Sequence, residues 1–358
     1  MRILLVLSTL KRSGPVNVVY GLLSHLETDV STTILTLSPE PSESRWNDFA
    51  KLGVNLKSLG MKRLDGLIRG RERLSEYLAS SEFDVVHTHG FRADVLLAKL
   101  NGTKWVSTAH NYPYDDYPMK FGRWRGRWMA QTHMKALGAC EHVVSCSRAI
   151  EDQLAKHGVI SRTIQNGVDV LGGAGPEPRA SDGLQRPVFI TTGSLITRKN
   201  VRVLIDAFKM YRRARDGSLL VVGEGPERGA LEAYAGDSVV FTGQVSNVQP
   251  FLSSADCFIS ASRSEGLPNS VLEAFAARLP AILSDIPSHR ELHDAEPRAS
   301  SLFSLEDGPH ALATRMSKFA AGQLLTDAAE GTKAAANMFS AQKMAEKYQL
   351  LYDEIANP

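Results

Sequence analysis

Two successive series of short apolar runs alternating with helical patterns constrain this chain more than any other feature. Residues 3–7 are short, apolar and partly β-branched, which marks a buried strand. Val16, Val19, Leu22, Leu23 and Leu26 then follow helical spacing, and Pro15 suits a first helical position. Residues 32–37, 84–87, 105–108 and 142–145 read as further strands, with an amphipathic helix over 67–78. Residues 171–187 break the series with Leu171-Gly172-Gly173-Ala174-Gly175-Pro176 and read as an interdomain linker. The series restarts with a strand at 188–191, a helix at 201–211 and strands at 219–222, 239–242, 257–260 and 281–284. Strands that alternate with helices require a parallel sheet covered on both faces. The expected architecture is α/β, with doubly wound domains at 1–170 and 188–340. An amphipathic helix at about 341–358 follows the second sheet and is expected to pack back on the first domain.

The length of 358 residues fits two such domains. A 43% apolar and 22% charged composition is that of a packed, ordered chain. The formal net charge is only +2, which argues against a nucleic-acid binder. That total hides a split of +5 over residues 1–170 and −3 over the rest. No apolar run reaches the roughly 18–20 residues that span a bilayer. The opening Met1-Arg2-Ile3-Leu4-Leu5-Val6-Leu7 is too short for a secretory signal and lacks a cleavage site. Cys140, Cys146 and Cys257 form no metal-binding spacing and read as buried thiols of a reducing compartment. The expected location is therefore cytoplasmic.

Ligands of open α/β sheets bind at the carboxyl ends of strands, so the loops just after strands hold the candidates. The first is Ser8-Thr9-Leu10-Lys11-Arg12-Ser13-Gly14-Pro15, where Gly14 at a helix start permits close ligand approach. It is not a G-x-G-x-x-G loop and does not support a nicotinamide or flavin site. His110 directly follows a strand and is either a ligand-facing or an ordinary structural histidine. His87 and His89 share a strand face but find no third metal ligand nearby, so they read as supporting residues. Arg198 and Lys199, in Gly193-Ser194-Leu195-Ile196-Thr197-Arg198-Lys199-Asn200, make a phosphate site ahead of a helix.

The strongest segment runs Ser264-Glu265-Gly266-Leu267-Pro268-Asn269-Ser270-Val271-Leu272-Glu273. Glu265 falls in the loop and Glu273 about one turn into a helix begun by Pro268 and capped by Asn269 or Ser270. Helix-start amides hold a diphosphate without a metal, and ionised carboxylates accept from sugar hydroxyls. One carboxylate for a ribose and one for a hexose would bracket that diphosphate.

With these residues in order, nearly the whole chain resembles the retaining glycosyltransferases of family 4. The resemblance includes Gln165-Asn166-Gly167-Val168-Asp169, Gly223-Glu224-Gly225-Pro226 and Phe241-Thr242-Gly243-Gln244-Val245. It implies the GT-B fold, two Rossmann-like domains facing across a cleft, with the donor on the second domain and the acceptor on the first. It assigns Glu273 to the ribose and Glu265 to the donor sugar. Gly266, Leu267, Pro268 and Asn269 then line the diphosphate and sugar, and Lys199 with Arg198 neutralises the diphosphate. Gly14 would lie beneath the phosphate, Gln244 beside the base, and His110 near the sugar and the reacting centre. Ser194 departs from the arginine common at that position, and Arg198 is the candidate replacement.

The resemblance implies a retaining, metal-independent hexosyl transfer from a nucleoside-diphosphate sugar, a co-substrate and not a cofactor. The expected acceptor is a glycan or lipid-linked molecule of surface polysaccharide or glycolipid synthesis. Two rivals stand beside it: a sugar-nucleotide epimerase of GT-B-like form, and a non-catalytic sugar-nucleotide-binding protein. Lys120-Phe121-Gly122-Arg123-Trp124-Arg125-Gly126-Arg127-Trp128 interleaves cations with aromatics. It reads as contact with an anionic membrane surface on the inner face, or as a helix whose tryptophans pack inward. Nucleic acid is not an expected partner.

Overall fold

The computed structural model describes residues 1–100, 102–169 and 183–357. They form two units, Met1–Gly167 with Ala341–Pro358, and Val168–Ser340. Of the stretch read as a linker, 171–182 lies outside the described residues, and 183–187 leads into the first strand of the second unit.

In the first unit the described strands form one parallel sheet. They are β1 (Arg2–Leu7), β2 (Ser31–Thr36), β3 (Asn55–Ser58), β4 (Val85–His89), β5 (Trp105–Ala109), β6 (His142–Ser145) and β7 (Arg162–Thr163). The spatial order is β3-β2-β1-β4-β5-β6-β7. Ile3, Leu4, Leu5 and Val6 of the central β1 are fully buried, as a strand covered on both faces requires. Sequence patterning misses β3, a largely exposed Asn-Leu-Lys-Ser, and β7, which has two residues. The helix expected over 67–78 is two helices, Arg63–Ile68 and Gly70–Ala79. Gly70 is a weak helix former, and a Cβ there would press on Leu96 at 3.2 Å.

The last helix, Ala341–Ala356, belongs to this unit. Met344, Tyr348, Leu351, Tyr352 and Ile355 form its apolar stripe and join the first core. Its tyrosine hydroxyls are buried but satisfied. Tyr352 Oη meets His87 Nδ1 at 2.6 Å, and Tyr348 Oη meets Thr108 Oγ1 at 2.8 Å.

The second unit's described strands also form one parallel sheet. They are β8 (Val188–Thr192), β9 (Ser218–Val222), β10 (Val239–Gly243), β11 (Cys257–Ser260), β12 (Ala281–Ser284) and β13 (Ser300–Phe303), ordered β10-β9-β8-β11-β12-β13. The strand β13, Ser-Ser-Leu-Phe, begins with two serines and escapes an apolar-run search. The chain moves outward from β8 through β9 and β10, then returns to β11 on the other side. Right-handed crossovers therefore send the helices after β8 and β11 to opposite faces. That leaves a crevice at the carboxyl ends of these two strands, the switch point of the sheet. All three cysteines are free and buried, and burial pushes Cys140 up to about 12.

Candidate functional site

Most of the candidate residues converge on the β8/β11 switch point. After β8 the chain passes through Gly193 at φ 135°. A Cβ on Gly223 would fall 1.8 Å from the Gly193 carbonyl oxygen, and one on Gly225 would fall 2.4 Å from that of Leu195. Only glycine permits this approach. It lets Leu195 N–H donate to the Glu224 carbonyl at 2.9 Å, which fixes the loop after β8 against the loop after β9.

Thr197–Lys199 then makes a single 3-10 turn, and Asn200 at φ 53° starts the helix Val201–Tyr211. Asn200 Nδ2 donates to the Ala261 carbonyl at 3.1 Å, and Arg263 N–H donates to the Arg198 carbonyl at 2.9 Å. These bonds stitch the turn to the loop after β11 and aim both cations at Glu265. Lys199 Nζ lies 2.7 Å from Glu265 Oε1, and Arg198 Nη1 lies 2.5 Å from Oε2. Arg198 Nη1 also donates to the Ser264 carbonyl at 2.6 Å. The Glu265 side chain is only 6% exposed. Burial alone would raise its carboxyl, but Lys199 and Arg198 outweigh burial and hold it well below the usual carboxylate range. Arg198, read from the sequence as a stand-in phosphate cation, is thus also committed to Glu265.

Glu273 sits half-buried in the helix Asn269–Ala276. Burial pushes its carboxyl up to about 7, against the pull of Lys199. Pro268 occupies the N-cap and supplies no capping side chain, so neither Asn269 nor Ser270 is the cap the sequence led one to expect. Gly266, Leu267 and Pro268 are buried, and Asn269 is half-buried. Thr192, Ser194, Lys199, Ser260, Ser262 and Ser270 line a polar depression beside them. Ser194 is exposed. Gln244 is exposed on the loop after β10, two strands away from β8 in the sheet.

His289 escapes the sequence reading. It lies fully buried in the first turn after β12, with Nδ1 2.8 Å from the Ser284 carbonyl oxygen. Ser284 Oγ donates in turn to the Ser262 carbonyl at 2.7 Å. Burial lowers His289 to about 4, so it is neutral, and both Glu265 and Lys199 act on it. Its place in the turn after a strand was the available signal.

Gly14 and His110 belong to the first unit. Gly14 opens the helix Gly14–Ser24 behind an extended Ser13, with Pro15 one position later than expected. The loop before it is fastened by Leu10 N–H, which donates to both carboxylate oxygens of Glu40 at 3.1 and 2.9 Å. His110 follows β5, and its Nε2 lies 2.9 Å from Nδ1 of His89 at the end of β4. Burial lowers His87 to about 3 and His110 to about 4, and depresses His89 as well.

The Trp/Arg segment forms a helical hairpin. Gly122, at φ 82°, separates the helices Pro113–Phe121 and Arg123–Gly138. A Cβ on Gly126 would fall 2.4 Å from the Tyr117 carbonyl oxygen, so this glycine permits the close crossing. Trp124 and Trp128 are 83% and 64% exposed, and Arg123, Arg125 and Arg127 are exposed too. The alternative of inward-packing tryptophans is therefore overturned: the buried side of this helix carries Gly126, Ala130, His133 and Met134. The buried Asp94 anchors that side through His133 Nε2 at 2.7 Å.

Two doubly wound parallel units in tandem are the GT-B architecture of glycosyltransferases. Sucrose-phosphate synthase of Thermosynechococcus elongatus superposes with a TM-score of 0.82 at 19% identity, covering 99% of this chain and 98% of that one. Anabaena HepE, in complex with UDP and glucose, gives 0.79 at 14% identity over 99% and 100%. The models of Glycosyltransferase Family 4 and Glycosyl transferases group 1 match residues 12–170 and 186–321 respectively. Together they span most of the chain, which belongs to this glycosyltransferase family. The putative teichuronic acid biosynthesis glycosyltransferase TuaC of Bacillus subtilis is 25% identical over 57% of this chain and 53% of its own length. The UDP-Gal:alpha-D-GlcNAc-diphosphoundecaprenol alpha-1,3-galactosyltransferase of Escherichia coli is 27% identical over 60% of each. Each match therefore spans less than two thirds of the relative.

Proposed function

We propose that the protein is a retaining glycosyltransferase that moves a hexose from a nucleoside-diphosphate sugar to a glycan or lipid-linked acceptor in surface polysaccharide or glycolipid synthesis. The observation that carries this reading is the Arg198–Glu265–Lys199 cluster at the β8/β11 switch point, with Glu273 on the following helix. Arg offers five N–H donors and Lys three, so both keep donors for a diphosphate while paired with Glu265. Glu273 is the ribose acceptor and Glu265 holds the sugar. His110 contacts the sugar, Gly14 lies beneath the phosphate, and Gln244 borders the base. HepE holds UDP and glucose, and the galactosyltransferase is named for UDP-Gal and a diphosphoundecaprenol acceptor. Uridine-diphosphate hexoses and polyprenol-linked sugars are the first candidates on that ground.

In the proposed step the bond from the anomeric carbon to the phosphate oxygen breaks. The acceptor oxygen bonds the same carbon from the same face, and its proton passes to the departing phosphate oxygen. Lys199 and Arg198 stabilise the charge that develops there, so no metal is required. The two glutamates bind substrate and are not the acid and nucleophile of a retaining glycosidase. Incubation with labelled nucleotide sugars and lipid-linked acceptors should yield an α-linked product from an α-linked donor, undiminished by EDTA. Inversion, or activity restored only by Mg²⁺ or Mn²⁺, would overturn the corresponding half of the proposal. An isomerised free nucleotide sugar would point to an epimerase, and binding without turnover to a non-catalytic protein.

The Trp124/Trp128 face, with three exposed arginines beside it, supports peripheral attachment to the anionic inner face of the membrane. Among the described residues no helix is long and apolar enough to cross a membrane. The protein should float with vesicles containing phosphatidylglycerol and stay behind with purely zwitterionic ones. A Trp124→Ser/Trp128→Ser double variant should lose flotation while keeping its melting temperature. Wild-type protein that fails to float with the anionic vesicles refutes the attachment.

A further inference from the structure

Three histidines meet at the carboxyl ends of β4 and β5, and only one has both ring nitrogens satisfied. His87 is held by the Tyr352 hydroxyl at Nδ1, 2.6 Å, and by the Thr108 hydroxyl at Nε2, 2.7 Å. His89 uses only Nδ1, 2.9 Å from His110 Nε2, and its own Nε2 is buried without a partner among the described residues. His110 is only half-buried, and its Nδ1, across the ring from the nitrogen that meets His89, bonds no described residue.

Burial keeps both rings neutral, so each carries one proton and the contact between them needs one N–H. There are two ways to place it. If His110 Nε2 donates, His89 must carry its own proton on Nε2, leaving a buried N–H with no acceptor. If His89 Nδ1 donates, the orphan is a bare lone pair, and His110 carries its proton on Nδ1. Orphaned buried N–H groups are rarer in backbones than under-satisfied acceptors, and the same preference applies to the ring. We infer that His89 is a positioning residue that fixes His110 with its proton on Nδ1, so that His110 presents an N–H donor at the open end of β5.

The chemistry of that end follows. His110 can donate to an oxygen acceptor, such as a sugar hydroxyl oxygen, and has no free lone pair with which to take a proton. It cannot serve as the base for the acceptor hydroxyl while His89 holds it. The identity of the oxygen rests on the proposed glycosyl transfer; the proton's location does not.

Long-range ¹H–¹⁵N spectra of histidine-labelled protein read the tautomers directly, with no substrate present. The expected wild-type spectrum shows protonated Nδ1 and bare Nε2 for both His89 and His110. A proton on His110 Nε2 overturns the inference, whatever reaction the protein catalyses. In His89→Leu, His110 should shift toward the Nε2–H form common in free histidine. Turnover should fall about tenfold with nucleotide affinity unchanged, the scale of one hydrogen bond. His89→Asn, whose amide N–H sits near the place of Nδ1–H, should restore both. Retention of the Nδ1–H tautomer in His89→Leu would overturn the role given to His89. A tautomer shift without any transferase activity would instead fault the proposed function.

Discussion

Replacing Glu273 with Gln is expected to raise the melting temperature of the second unit at pH 8 and at the same time weaken nucleotide binding. Burial lifts the Glu273 carboxyl from 4.5 to about 7. Between those pH values the folded protein holds a proton that the unfolded chain releases. Stability from this group is therefore full below pH 4.5 and is lost as pH rises through 7. Above pH 7 the ionised, half-buried carboxylate costs roughly 3 kcal/mol at one pKa unit per 1.36 kcal/mol. The amide removes that cost, which corresponds to on the order of 5–10 °C for a unit of this size. It also turns an acceptor-only group into a mixed donor and acceptor, which loses roughly 10–100-fold in affinity for a ribose diol. Scanning calorimetry and titration with UDP and GDP check the two halves. A melting temperature that falls at pH 8 refutes the burial penalty, and unchanged nucleotide affinity refutes the ribose role.

Glu265 responds to pH in the opposite direction. Its carboxyl is held below 4.5 by Lys199 and Arg198, so its contribution is full above 4.5 and lost as pH falls below that value. Two glutamates eight positions apart thus carry opposite pH signatures, because one faces two cations and the other is mainly desolvated. A buried carboxyl such as Glu273, which titrates near neutrality at a cost to folding, is the pattern of a group retained for function.

The sequence made the strand-and-helix series legible because parallel strands covered on both faces are continuous apolar runs. The strands 257–260 and 281–284 and the helix 201–211 stand within the limits that pattern predicts. The strands β3, β7 and β13 lack such a run and were invisible. Glu265 and Lys199 were legible as types in the right loops. Their pairing was not, since it depends on Asn200 and Arg263 drawing together two loops more than 60 residues apart. The His89–His110 contact was hidden for the same reason: it joins the ends of two neighbouring strands, 21 residues apart in sequence. Gly126, a weak helix former in mid-helix, is the residue that permits the hairpin crossing, a fact carried only by Tyr117 and Pro118 opposite it.

Lys199→Met should abolish most turnover while leaving the fold nearly intact, and the contrast with Glu265→Gln gives the reason. Lys199 is 18% exposed, and its loss leaves Arg198 paired with Glu265, so no charge is stranded. In Glu265→Gln, by contrast, two largely buried cations lose the carboxylate they share, which costs on the order of 3–5 kcal/mol. Calorimetry should therefore show a small change for Lys199→Met and a large loss for Glu265→Gln. Catalysis should show the reverse emphasis for the lysine. A positioned cation at the departing oxygen acts mainly in the transition state, and removing such a group lowers kcat by about 10²–10³. Nucleotide affinity should fall by less, because Arg198 still serves the ground state. Lys199 also pulls the Glu273 carboxyl down, so in Lys199→Met that group titrates higher than about 7 and nucleotide binding becomes more sensitive to acid. A kcat unchanged by Lys199→Met in folded protein would remove the lysine from the reaction. A loss of nucleotide affinity with kcat unchanged would make it a binding residue only.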